Sequence, residues 1–134
     1  MRNKFLGIGE PGYDPLRKVR TIIVGLRYAV LSDFSVAYKV VLSIIVLAVA
    51  FALRQWVDVL LILLATGIVL TAEILNSAIE ALCDFVEFRH NEKIKVIKDV
   101  AAAAVGISIL VWAIILVAEL ARFWNVFVDR KSVV

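Results

Sequence analysis

Between Val100 and Ala118 the chain reads "VAAAAVGISILVWAIILVA", nineteen residues without one charge. At about 1.5 Å of rise per residue a helix of that length crosses a hydrocarbon core about 30 Å thick. Few soluble folds can bury such a run, so it constrains the chain more than any other feature. The rest of the apolar content is gathered in the same way. Hydrophobic residues make up 63% of the chain and charged residues 20%, whereas soluble domains sit nearer half apolar. Two further runs precede the first, with apolar stretches from about Val40 to Leu53 and from about Trp56 to Ile79. Three transmembrane helices are therefore expected, over about 36–54, 56–84 and 98–120, in a single all-α membrane domain.

The basic residues give these spans a direction. Arg2, Lys4, Arg17, Lys18, Arg20 and Arg27 precede the first span, and Arg89, Lys93, Lys95 and Lys98 lie between the second and third. The turn between the first two carries only Arg54. Short loops rich in Lys and Arg stay in the cytoplasm. The N-terminus and the 85–99 loop are expected inside, and the turn near 54–58 outside. Nothing at the start has the apolar core of a secretory signal. The single Cys83 has no internal disulfide partner and reads as a small packing residue.

Residues 1–14, with "GIGEPGYDP", read as an irregular leader. Asp14 and Pro15 then make a good helix start, one capping free N–H groups and the other fitting the first helical position. Leu16, Val19, Ile23, Leu26 and Val30 recur at steps of three and four, and Arg17, Arg20 and Arg27 lie on another face. Over 15–35 this pattern predicts an amphipathic helix on the membrane surface, the basic side suiting anionic lipid. An ordinary helix packed on its neighbours is the alternative. Asp33 falls near the junction with the first span. The tail 121–134 reads as an interfacial anchor.

The second span ends in an unusual stretch, "AEILNSAIEALCD". With Asp58 near one interface, Glu73 lies about 22 Å further along the helix. That leaves its carboxylate a turn or more inside the far boundary. A charge at such depth costs roughly 2–3 kcal/mol and normally faces protein or water. Asn76, Ser77, Glu80 and Asp84 follow Glu73 at offsets of 3, 4, 7 and 11, which share one helix face. Clustered carboxylates need a cation, and hard oxygen ligands suit Mg²⁺ rather than zinc. His90 lies off this face. Across the loop, Lys98 and Asp99 stand at the mouth of the third span. They read either as an interfacial pair or as a phosphate-binding Lys with a metal- or nucleotide-linked Asp. Ala101 to Ala104 permits close helix approach. There is no Gly-rich phosphate loop or Walker-type pattern.

"AEILNSAIEALCD" followed by "KDVAAAAV" closely resembles the prokaryotic diacylglycerol kinase family, which includes undecaprenol kinases, over roughly residues 15 to 120. The resemblance implies a bacterial inner-membrane lipid kinase with a surface helix, three spans and a homotrimeric assembly. Its co-substrate would be ATP with Mg²⁺, its acceptor a lipid alcohol, and no nucleic acid would be a partner. By the same resemblance Glu73 is the catalytic base, Glu80 and Asp33 hold the metal, and Asn76 supports the site. Asp84, Lys98 and Asp99 engage the nucleotide, and Arg17 joins these binding residues. Diacylglycerol is the first expectation for the lipid. Undecaprenol or another lipid alcohol is the second, and a non-catalytic assembly subunit is the third. The chain departs from the family at Asp33 (usually Glu), Ser35 (usually Asn) and Ala37 (usually Arg). It also departs at Val24, and Lys39 stands where other members carry other polar residues.

Overall fold

A computed structural model describes residues 14–133, so the leader expected over 1–14 lies, but for Asp14, outside the described residues. Four helices follow in order: α1 (Pro15–Ser32), α2 (Phe34–Ala52), α3 (Trp56–Val86) and α4 (Glu92–Ser132). The chain divides into two compact units, one ending at Asp33 and one beginning at Phe34.

The first unit is built on α1. Asp14 is its N-cap, accepting from the backbone N–H of Leu16 at 3.0 Å and of Arg17 at 3.3 Å, with Pro15 behind it. Two donors that the helix itself cannot satisfy are thereby paired. Asp33 ends the helix with extended backbone, its N–H donating to the Ala29 carbonyl at 3.0 Å. The helix ends at Ser32, against an expected end near 35.

In the second unit α3 packs against both α2 and α4, which touch each other little. All three are long and apolar enough to cross a membrane. The turn between α2 and α3 is compact because the backbone N–H of Gln55 donates to the Ala50 carbonyl and that of Arg54 to Phe51, both at 3.0 Å. This closing pattern requires a left-handed residue, and Arg54 adopts it at φ 56°.

The polarity of this unit is inverted relative to a soluble bundle. Lys39, Ser43, Asp58, Glu73, Ser108 and Glu119 are buried, while Leu60, Leu64, Val100, Ile107, Leu110 and Val117 point outward. Apolar side chains facing out and polar ones facing in suit a hydrocarbon surround. The core is Val46, Ala50, Ile62, Ala65, Val69, Trp112, Leu116 and Phe123. One hydroxyl ties its three helices together: Ser43 Oγ, on α2, accepts from Thr66 Oγ1 of α3 at 2.9 Å and from Trp112 Nε1 of α4 at 3.0 Å. Interhelical hydrogen bonds in membranes are worth roughly 0.6 kcal/mol each, up to about 1.7. Ser43→Ala is therefore expected to lower stability in detergent by about 1–2 kcal/mol. A thermal melt that does not move would show that Thr66 and Trp112 find other partners.

At the turn end of the unit, Arg122 Nη1 of α4 lies 2.9 Å from Asp58 Oδ1 of α3 and 3.9 Å from Glu119 Oε2. Both carboxylates are buried. Nearby, Arg130 of α4 donates to the Leu53 carbonyl at 3.3 Å.

The extent of α4 differs from the sequence expectation. A helix was expected over about 98–120 with a tail beyond; instead it runs 41 residues, about 60 Å. Asn91 caps its start, accepting from Lys93 and Ile94 at 2.9 and 3.4 Å. Capping moves the start six residues into what reads as a polar loop. At the other end the helix continues unbroken through Arg122 and Arg130 to Ser132.

Candidate active site

The face of α3 that carries Glu73 grades from buried to open. Glu73 is 5% exposed, Asn76 and Ser77 are half-buried, and Glu80 and Asp84 are exposed. This gradient follows from the helix alone. Each step of three or four residues keeps to one face while moving about 5–6 Å along the axis.

Glu73 is not alone in the interior. Its Oε1 accepts from Lys39 Nζ at 2.5 Å and from Ser35 Oγ at 2.8 Å, both on α2. Lys39 Nζ also donates to Ser35 Oγ at 2.6 Å and to the Ser35 carbonyl at 3.2 Å, and lies 4.4 Å from the centre of the Tyr38 ring. The Lys39 side chain is fully buried. Among the described residues no donor reaches Glu73 Oε2. The pair is thus a neutral ionic unit, with one carboxylate oxygen saturated and the other open. Paired burial is what makes two charges tolerable at this depth.

Further along, Asn76 Nδ2 donates to Glu80 Oε1 at 2.8 Å, one turn apart. Asn76 Oδ1 is buried without a partner. Glu80 has no cationic partner among the described residues. At the open end Lys98 Nζ of α4 meets Asp84 Oδ1 of α3 at 2.5 Å, with both side chains partly exposed. This pair joins the two helices across the 87–91 loop and displays a cation there. On its other side α3 borders an apolar groove of about 600 Å³, lined by Gly67, Ile68, Ala72, Leu75, Ala101 and Ala104 and reaching Asn76.

The residues expected from the sequence fall into three pairings and a remainder. Glu73 joins Lys39 and Ser35, Asn76 joins Glu80, and Asp84 joins Lys98. Asp99 is exposed beside Lys98. Arg17 lies in the first turn of α1 and Asp33 is that helix's C-cap residue. Among the described residues no three His, Cys, Asp or Glu side chains converge as a metal cage. A divalent cation would have to be held jointly by a carboxylate and phosphate oxygens. Glu80 suits that, being exposed, hard in donor type and bonded only to a neutral amide. His90 bonds Glu92 in the loop at 2.7 Å, away from this face.

Lys39 is the residue that sequence reasoning missed. The signal was present: it is the one charge in α2, and an isolated cation in an apolar helix requires an anion on a neighbour. Placing the apolar core at Val40 made Lys39 look like a flank.

The family model described as prokaryotic diacylglycerol kinase matches residues 21–120, or 100 of the 134 residues. The match contains every site residue above except Arg17. Comparison with curated proteins gives no match, and comparison with solved structures gives none either.

Proposed function

The chain belongs to the prokaryotic diacylglycerol kinase family, and we propose that it transfers the γ-phosphoryl group of ATP to the hydroxyl of diacylglycerol, with Glu73 as base. The family makes it a membrane lipid kinase using ATP; the lipid, the metal and the residue roles are the proposal. The observation that carries it is the graded face of α3: a buried carboxylate at Glu73, and exposed oxygen ligands with Lys98 at the loop end.

In this reading the free Oε2 of Glu73 takes the proton as the lipid oxygen attacks the γ-phosphorus. The bond to the β-phosphate oxygen breaks and ADP leaves. Asn76 steadies Glu80 by donating from its amide nitrogen to Glu80 Oε1. Lys98 passes from Asp84 to the phosphates, and Asp99 and Arg17 add to nucleotide binding. Glu80 and Asp33 would hold Mg²⁺, whose chemistry is to neutralise phosphate charge. Most of the catalysis is positioning and electrostatics, as in other phosphoryl transfers. Asp33→Ala is expected to raise the Mg²⁺ requirement of transfer sharply and to weaken Mn²⁺ binding in the presence of a non-hydrolysable ATP analogue. Unchanged titrations would remove Asp33 from the metal site.

The second reading keeps the chemistry and changes the lipid to undecaprenol or another alcohol. The resemblance leaves room for it: Ser35, beside Glu73, stands where the resembled family usually has Asn, and Lys39 where its members carry other polar residues. A panel of lipid alcohols in mixed micelles with γ-labelled ATP separates the two. Preference for diacylglycerol supports the first, and preference for a polyprenol overturns it.

The proposed assembly is a trimer in the inner membrane with its N-terminus in the cytoplasm. The small residues Gly67, Ala72, Ala101 and Ala104 let a helix of another copy approach closely. An active monomer by mass measurement in mild detergent would contradict the assembly. In a Cys83→Ser background, labelling of Gln55→Cys only from the cytoplasmic side would contradict the orientation.

A further inference from the structure

We propose that Lys39 is a positioning residue for phosphoryl transfer: with Ser35 it grips Oε1 of Glu73 and leaves Oε2 as the proton acceptor. This rests on the reading of Glu73 as base. Burying a charge without a counter-charge is costly, and the Lys39 ammonium 2.5 Å from Glu73 supplies one. It also leaves the site neutral when no lipid is bound.

The geometry adds direction to charge. Both α2 donors converge on the same oxygen, at 2.5 and 2.8 Å. Ser35 Oγ is itself fixed, since it accepts from Lys39 while donating to Glu73. The carbonyl of Ser35 and the ring of Tyr38 hold the ammonium from the α2 side. The carboxylate is therefore locked in rotation, and its open oxygen keeps one orientation. Reactions of positioned groups lose roughly a hundredfold when a reacting atom shifts by an ångström.

The test compares Lys39→Met, Ser35→Ala, Glu73→Gln and the double variant Lys39→Met/Glu73→Gln in lipid phosphorylation. Oligomer size and thermal melt are recorded for each. Lys39→Met keeps the stem and removes the charge. Its kcat is expected to fall roughly a hundredfold with KM for ATP unchanged, because Lys98 and Glu80 are untouched. Ser35→Ala leaves the ion pair and is expected to lower kcat roughly tenfold in a protein that melts normally. If Lys39→Met does not fold, the double variant, which buries no net charge, restores the fold. It is expected to be folded and inactive, with Ser35→Ala still carrying the kcat effect. Parental kcat in folded Lys39→Met, or in Ser35→Ala where Lys39→Met is unfolded, would overturn the positioning role. Glu73→Gln inactivity in the same assay would then leave the base reading intact. An active double variant would overturn both, making the pair a helix clamp.

Discussion

Glu73→Gln is expected to lower lipid phosphorylation at least about a hundredfold, the scale for loss of a general base. The amide keeps the size of the carboxylate and still offers a carbonyl to Lys39 and Ser35. It cannot take the proton of an attacking hydroxyl. The substitution also leaves Lys39 buried without its counter-charge. Breaking a buried pair from one side costs roughly 3–5 kcal/mol, moderated here because Lys39 keeps the Ser35 hydroxyl, the Ser35 carbonyl and the Tyr38 ring as partners. Rates therefore need comparison at a temperature where both proteins are folded, with melting followed in parallel. KM for ATP is expected to stay near the parental value, since the exposed end of α3 at Glu80 and Asp84 is unchanged. A Gln variant that keeps most of its turnover would remove Glu73 from the chemistry.

Lys98→Met is expected to reduce kcat/KM for ATP by about 10- to 100-fold with the fold intact. Hydrogen bonds to charged groups contribute roughly 1.5–3 kcal/mol, which sets that range. The ion pair with Asp84 adds little to stability, because both side chains are partly exposed and solvent screens the pair. In the resting protein Asp84 occupies the ammonium; a polyphosphate, carrying more charge, competes for it. Asp84→Asn thus frees Lys98 without removing it and is expected to cost less than Lys98→Met. Measuring initial rates across ATP concentrations checks this. An ATP dependence unaffected by Lys98→Met would reduce the residue to a tie between α3 and α4.

Much of the architecture is legible in the chain because the relevant signals are local. Nineteen uncharged residues, the Asp14–Pro15 helix start and the 3, 4, 7, 11 spacing after Glu73 each need only one helix to be understood. The matched residues 21–120 carry the same logic to the family. What escaped reading depends on pairing across helices. Lys39 gains its meaning only from Glu73, thirty-four positions away. Asp58 reads as an interfacial residue until Arg122 and Glu119 arrive from the far end of α4. Ser43 looks like a neutral interruption of an apolar helix, yet Thr66 and Trp112 both donate to it. The length of α4 was hidden for another reason. Apolarity marks where a helix lies in hydrocarbon, while α4 starts at its Asn91 cap and runs on past the apolar stretch to Ser132.

The central claim is that this chain moves a phosphoryl group from ATP to a lipid hydroxyl through Glu73. The direct measurement incubates purified protein in mixed micelles with diacylglycerol, Mg²⁺ and γ-labelled ATP, then extracts the lipid and counts it. The account predicts label in the organic phase that depends on protein and on added lipid alcohol and is lost in folded Glu73→Gln. Folded, oligomeric parent protein that labels neither diacylglycerol nor any polyprenol would contradict it and leave the polar face of α3 as assembly glue.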